Sequence, residues 1–270
     1  MKKISRRSFL LAAGTVAAAG VLTACGGSNG NDADTAEKIT SIDQLYEGKK
    51  IGVQLGTTGD IYATDDFGAD NVEQYNKGAD AVQALKTGKV DAVIIDNEPA
   101  KSFVAVNDDL TILEAPYTEE DYAICLAKGS ALTEQFNTAI AEIKAEGILD
   151  AILDKYINGV EGATGYVTPE GTTYPNGKLV MATNAYFPPY EYYEGEAIVG
   201  IDVDFAKAIC DKLGYELEIS DIEFDAIIPA VNSGKADFGA AGMTVTEERL
   251  QNVDFTDSYA TGVQAVIVRK

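Results

Sequence analysis

The reading turns on Gly239-Ala-Ala-Gly-Met-Thr-Val-Thr-Glu-Glu-Arg249, with Lys235-Ala-Asp-Phe238 before it and Asn252-Val-Asp-Phe-Thr-Asp-Ser-Tyr259 after it. Small residues after a short apolar run predict a strand that ends near Gly242. Threonine is a good N-cap and Thr244-x-x-Glu247 fits a capping box, so a helix is expected to start at Thr244 or Thr246. Arg249 then falls in the first helical turn, where a cation opposes the helix dipole. Two readings account for it. In one, the free N–H groups of a helix start and a guanidinium fork together receive a carboxylate. In the other, Arg249 is a surface residue paired with Glu247 or Glu248. Spacing alone does not separate them.

Outward from this stretch, helical and extended patterns alternate. Upstream lie a strand over 236–240, a helix from Phe224 to Val231, a strand over 215–219 and a helix over 205–213. Before them Lys178-Leu-Val-Met-Ala182 reads as a strand running into the proline-stiffened aromatic loop Thr183-Asn-Ala-Tyr-Phe-Pro-Pro-Tyr190. Downstream, Gln264-Ala-Val-Ile-Val-Arg269 reads as a strand. Residues 159–177 hold five glycines and two prolines without apolar periodicity and read as a linker or long loop. Earlier come helices over 132–145 and 148–156, a strand over 122–128, a strand near 111–114 and a helix near 99–106. The strand Val90-Asp-Ala-Val-Ile-Ile95 ends on Asp96. Ligands of open α/β sheets bind outside the carboxyl ends of strands, so an acid there is well placed, although a turn or cap is the plainer role. A helix over 80–87 and the strand Lys50-Ile-Gly-Val-Gln-Leu55 precede it. That strand enters Gly56-Thr-Thr-Gly59 and a helix start, a common anion-binding turn. Ala84-x-x-x-Gly88-Lys89-x-Asp91 recurs as Ala230-x-x-x-Gly234-Lys235-x-Asp237, which suggests two similar α/β units.

Residues 1–25 read as a targeting segment. Lys2, Lys3, Arg6 and Arg7 precede the apolar run Phe9–Leu22, too short for a membrane span. Leu22-Thr-Ala-Cys25-Gly-Gly resembles a bacterial lipobox with Cys25 as the lipidated residue, and Ser5-Arg-Arg-Ser-Phe-Leu10 resembles a twin-arginine signal. Residues 26–37 suit a flexible tether. The formal net charge of −22 argues against nucleic acid and anionic lipid surfaces as partners. The sequence has no histidine, hence no His-ligated metal, and no cofactor or metal is expected. Cys125 and Cys210 sit in apolar patterns and read as buried free thiols, with a disulfide between them left open.

Gly242-Met-Thr-x-Thr-x-Glu-Arg249 followed by Val253-Asp-Phe-Thr resembles the signature of the amino-acid-binding receptors of ABC importers, the bacterial extracellular solute-binding proteins of family 3. The resemblance extends over residues 38–270. It implies a two-lobed α/β fold of the type II periplasmic-binding-protein class with a ligand cleft between the lobes, here taken as 38–120 and 121–270. It implies that Thr244 and Arg249 hold an α-carboxylate together with Thr58 and Thr57, and that Asp96 and the Gly242 carbonyl take the α-ammonium. Phe187 and Phe224 would sandwich the ligand's side chain. Asn184 and Gln54 stand where some relatives carry charge, which points to an uncharged, polar amino acid. The implied partners are a free amino acid, an ABC transporter permease and the membrane through a lipid anchor. The implied protein is a monomer outside the cytoplasm and not an enzyme. In ordinary members a block like 178–270 precedes one like 37–156, so this chain looks circularly permuted. The second reading is a dehydratase of the same fold acting on a prephenate-like acid. It needs a proton donor at the cleft, and Glu191 and Glu223 flank the cleft in sequence.

Overall fold

The computed structural model describes residues 38–270. The targeting segment, Cys25 and the tether lie outside the described residues. Two sheets organise the fold, each flanked by helices. The first has strand order β2-β1-β3-β14-β4, from β1 (Ile51–Gln54), β2 (Val72–Tyr75), β3 (Ala92–Asp96), β4 (Leu110–Ile112) and β14 (Ala260–Arg269), with β5 (Thr118–Tyr122) paired to β14. The second has order β11-β7-β12-β6-β13, from β6 (Cys125–Ala127), β7 (Lys178–Thr183), β11 (Glu216–Asp221), β12 (Phe238–Gly239) and β13 (Val253–Phe255). A small meander of β8 (Tyr186–Phe187), β9 (Glu191–Glu194) and β10 (Ala197–Val199) extends from the second. Helices α1 (Thr58–Phe67), α2 (Gly78–Lys86) and α3 (Asn97–Ala105) belong to the first lobe. Helices α4 (Leu132–Ala145), α5 (Ile148–Tyr156), α6 (Ile201–Leu213) and α7 (Ile227–Asn232) belong to the second. This is the mixed α/β, two-lobed architecture expected.

The lobe boundary differs from the expected one. The sequence places residues 260–269 in the 121–270 lobe, yet β14 lies inside the first sheet, pairing Gln264 with Asp96 through to Val268 with Ala92. The reason is burial. Val266, Ile267 and Val268 are each at most 1% exposed, and a run buried on consecutive positions belongs in the middle of a sheet covered on both faces. Burying each such side chain contributes about 1.5–3 kcal/mol. The chain crosses between the lobes on β5 and again on β14, and these two strands pair antiparallel from Ala260↔Tyr122 to Gln264↔Thr118. At this crossing only glycine fits at position 262, opposite Glu120, since a Cβ there would meet the Tyr122 hydroxyl oxygen at 2.0 Å.

The internal echo is realised bond for bond. In the first copy Lys89 N donates to Ala84 O (2.9 Å), Asp91 N to Lys50 O (2.7 Å) and Lys50 N to Asp91 Oδ2 (2.9 Å). In the second, Lys235 N donates to Ala230 O (3.0 Å), Asp237 N to Val180 O (2.9 Å) and Val180 N to Asp237 Oδ2 (2.7 Å). Gly88 and Gly234 take the same left-handed turn, with φ 75° and 71°. The aspartate in each copy satisfies a backbone N–H at the start of the neighbouring strand.

Residues 157–177 carry no helix or strand, as expected of a linker, but they are tied down. Tyr166 donates from its backbone N to Asp204 Oδ2 (3.1 Å) and from its hydroxyl to Asp211 Oδ2 (3.0 Å). Tyr174 donates to Asp211 Oδ1 (3.1 Å). Both aspartates lie on α6, so this connection runs along that helix. Cys125 and Cys210 are both buried and unbonded to each other.

Candidate functional site

A single cleft between the lobes is lined by Gln54, Thr57, Thr58 and Asp96 from the first lobe. Asn184, Phe187, Glu191, Phe224, Ala241, Gly242, Thr244 and Arg249 line it from the second. All ten residues singled out from the sequence therefore face one space. Each arrives there at the end of an element. Gln54 ends β1, Thr57 caps α1 by accepting from Asp60 N (3.3 Å), and Asp96 ends β3. Asn184 follows β7, and Gly242 to Arg249 follow β12.

The helix expected at Thr244 or Thr246 is absent. Thr244 instead makes an isolated bridge to Tyr122, and only a 3₁₀ turn over Arg249–Gln251 follows. Thr246 still caps that turn, its hydroxyl accepting from Arg249 N at 3.1 Å. The pairing of Thr244 with the crossing strand outcompetes helix formation there. The surface reading of Arg249 fails as well, because the residue is 7% exposed. Its guanidinium donates from Nη1 to Thr244 O (2.8 Å) and from Nη2 across the cleft to Gly56 O (3.0 Å). It also stands 5.4 Å from the Phe224 ring centroid. Among the described residues no carboxylate oxygen lies within 4 Å of it. Burial pulls its pKa down, and Glu120 is the first charge to offset that.

Asp96 is 6% exposed, and its Oδ2 accepts from Gln264 Nε2 (2.9 Å) while Oδ1 has no partner among the described residues. Burial first, and then the charge of Glu120, push its carboxyl well above the usual range. The cleft thus presents a cation lacking a counter-ion on one lobe and a half-satisfied carboxyl on the other. Thr58 and Thr244 approach from the two sides, hydroxyl to hydroxyl at 3.4 Å. Gln54 and Asn184 also meet across the cleft, Gln54 Nε2 donating to Asn184 Oδ1 at 2.9 Å. Gly242, with φ 51°, packs so closely on Phe187 that a Cβ would come within 2.9 Å of the ring.

Sequence reasoning missed three buried polar residues, Asp202, Glu120 and Gln264, and gave a fourth, Glu191, only as flanking the cleft. Glu191 lines the cleft, is 1% exposed, and has the Asp202 carboxyl as its side-chain neighbour. Burial and then the neighbouring Asp202 raise its carboxyl well above the ordinary value. Asp202, on α6, accepts from Gly242 N (2.7 Å) and from the Tyr259 hydroxyl (2.7 Å). Burial nevertheless raises its pKa to about 6. Glu120 and Gln264 lie behind the wall on β5 and β14. The available signal was a polar residue inside a strand pattern: Gln264 opens an apolar run, and Glu120 takes the inward position next to Tyr122 in an alternating one.

Residues 179–270 match the family model of bacterial extracellular solute-binding proteins, family 3, a shorter span than the 38–270 expected. The chain is 45% identical over 93 residues to the arginine-binding extracellular protein ArtP of Bacillus subtilis, covering 34% of this chain and 36% of ArtP. It is 31% identical over 121 residues to the ABC transporter glutamine-binding protein GlnH of Bacillus subtilis, covering 44% of each. Among solved structures, the arginine-bound form of domain 1 from TmArgBP is 40% identical, with 35% of this chain and 81% of that chain covered and a TM-score of 0.30. The chain thus spans less than half the length of each of these two curated relatives. Over residues 179–270, the chain is similar to the bacterial extracellular solute-binding proteins, family 3.

Proposed function

We propose that this protein captures a free amino acid between its lobes and hands it to an ABC importer outside the cytoplasm. The observation that carries the reading is the pair Arg249 and Asp96. Among the described residues one is a buried cation without a carboxylate partner, the other a buried acid with a free oxygen, and they stand on opposite lobes of one cleft. A zwitterion satisfies both at once, and neither lobe alone completes the site, so binding holds the lobes together. The resemblance puts Thr244, Thr57 and Thr58 with Arg249 on the carboxylate, and the Gly242 carbonyl with Asp96 on the ammonium. Phe187 and Phe224 offer the apolar walls.

At the side-chain end, Asn184 and Gln54 carry no charge, which first suggested an uncharged polar ligand. Glu191 adds a further acid to the cleft wall, under the influence of Asp202 and Asp96, and shifts the reading toward any side chain rich in N–H donors, an amide or a guanidinium. Relatives named for glutamine and for arginine fit this class. The test is calorimetric titration with L-glutamine, L-arginine and L-glutamate, after a thermal-shift screen of the twenty amino acids. Glutamine or arginine should bind, and glutamate should not. A screen in which no amino acid raises the melting temperature overturns the reading.

The buried acid of Glu191 also keeps the dehydratase reading in play, since a protonated carboxyl beside a cleft is a proton donor. Incubation with prephenate, followed by mass measurement, decides it; unchanged prephenate removes that reading. The permuted order belongs to the same proposal. It is supported by Ile39, which packs in one cluster with Val266 and Val268 and so sets the segment before β1 against the last strand. Cleavage within 160–176 should leave two fragments that stay associated and bind. The anchor is tested by Cys25→Ala, which should release the protein from the membrane fraction.

A further inference from the structure

We propose that Glu120, on the crossing strand β5, is a positioning residue of this site: it takes the single hydroxyl proton of Thr244 and so turns the lone pairs of that oxygen toward the ligand's α-ammonium. The inference rests on the amino-acid reading above and changes the role of Thr244 within it, from carboxylate donor to ammonium acceptor.

A threonine hydroxyl has one proton to give, and an ionised carboxylate only accepts. Thr244 Oγ1 lies 3.0 Å from Glu120 Oε2, and Glu120 is 5% exposed, so the pair is shielded from water. With its proton committed there, Thr244 has only acceptor capacity left for the cleft. It cannot also donate to a ligand carboxylate. The guanidinium of Arg249 and the N–H groups at the start of α1 are left to hold the carboxylate.

Glu120 also reaches the other anionic group. The Gln264 amide donates to Glu120 Oε2 (3.0 Å), to Asp96 Oδ2 (2.9 Å) and toward Thr58 Oγ1 (3.4 Å). One Nε2 carries two hydrogens, so Asp96 and Glu120 share a single amide; the Tyr62 hydroxyl also lies at Glu120, and Asp96 keeps one buried oxygen without a partner among the described residues. Acceptors therefore gather on the Asp96 side: the free Asp96 oxygen, the Thr244 lone pairs and, behind them, the Glu120 charge. This is the environment of an ammonium. The strands that carry Glu120 and Gln264 are also the two that cross between the lobes, so the network is assembled where the lobes turn on one another.

The test is a double-mutant cycle in binding. The probe is L-arginine or L-glutamine, whichever the parent protein binds more tightly. Glu120→Gln should raise Kd by about 10- to 100-fold, because the neutral amide can donate to the Thr244 oxygen and supplies no charge. Thr244→Val should raise it similarly. If Glu120 acts through Thr244, the double variant binds within about threefold of Thr244→Val. The unliganded melting temperature of Glu120→Gln should stay at or above that of the parent, a readout that a merely structural role would lower. A Kd for Glu120→Gln within threefold of the parent overturns the proposal. So does a double variant whose loss is the product of the two single losses. Should Glu120→Gln fail to fold, Glu120→Asp and Thr244→Ser take its place: serine keeps the hydroxyl and should bind nearly as the parent does, while Thr244→Val does not, and equal binding by both overturns the proposal. A parent protein that binds neither amino acid sinks the functional reading itself, which is a separate result.

Discussion

After the Gly88 turn the chain runs along β3 and stops on Asp96. After the Gly234 turn it passes through β12 and arrives at Thr244 and Arg249. The two turns have the same backbone bonds, the same left-handed glycine and the same aspartate clasp on the adjacent strand. What differs is the cargo at the end of the strand, an acid in one lobe and a base in the other. The scaffold is duplicated and the charge is not. On the proposed reading, a molecule with one positive and one negative end is met by two copies of one structural device facing each other.

The largest test of this comparison exchanges the cargo. Arg249→Met and Asp96→Asn each leave one end of the bound amino acid desolvated and unmatched. Either should weaken binding by about 2–5 kcal/mol, roughly 30- to several thousand-fold in Kd by calorimetry. Neither should lower the unliganded melting temperature, because each removes a buried group that lacks a full set of partners. Variants that bind within a few-fold of the parent would break the comparison outright.

A second test separates how the two ends are supported. Gly242, on the cationic side, hangs from Asp202, whereas Asp96 leans on the neutral amide of Gln264. The Asp202 pKa stands at about 6 in the folded protein, above the value of about 3.9 for an unfolded aspartate. Between those two values the folded state holds more protons than the unfolded one. The contribution of Asp202 to stability is thus fully present below about pH 4 and is lost as pH rises to about 6, by up to roughly 3 kcal/mol. Asp202→Asn should remove this dependence. The melting temperature of the parent minus that of the variant should fall across pH 4–6 and then level off. A flat difference would mean that the burial of Asp202 is relieved in solution.

The smallest expected effect tests the likeness itself. Asp91→Ala and Asp237→Ala each remove one carboxylate-to-backbone bond from equivalent turns. Each should cost about 1 kcal/mol, a fall in melting temperature of about 2–4 °C, without changing Kd. Unequal losses would show that the two turns are alike in geometry and unlike in load. Asp91 carries an additional half-exposed contact with Arg269 Nη2 at 3.4 Å, which sets the expected direction of any inequality.

The sequence makes both ends of this pair readable because each follows an apolar run and a glycine turn, a pattern that survives without tertiary context. Arg249 was legible as unusual, but its burial was not, since that depends on Phe224 and on Gly56 from the opposite lobe. The helix expected at Thr244 failed for a related reason: local capping chemistry competes with a long-range pairing to Tyr122, and the pairing wins. Glu120 was hidden in Thr118-Glu-Glu-Asp-Tyr122, which has the composition of a solvated loop. It becomes a strand only because β14 pairs with it. The position of β14 was itself illegible, because an apolar strand states how deeply it is buried and not in which sheet.

That placement has a consequence for how the protein is made. β14 lies between β3 and β4 and also receives β5, so it is the strand that closes the first sheet. Yet it leaves the ribosome after every other strand of both sheets. At about 5–20 residues per second, the interval between β5 and β14 is on the order of ten seconds. Throughout that time β3 presents an unpaired edge, and the second lobe emerges in full before the first can be completed. The lobe begun first is finished last, and its final strand carries the Gln264 that joins Asp96 to Glu120. A nascent chain therefore lacks the link from Asp96 through Gln264 to Glu120 until β14 is made, and until then β3 is open to pairing with another chain.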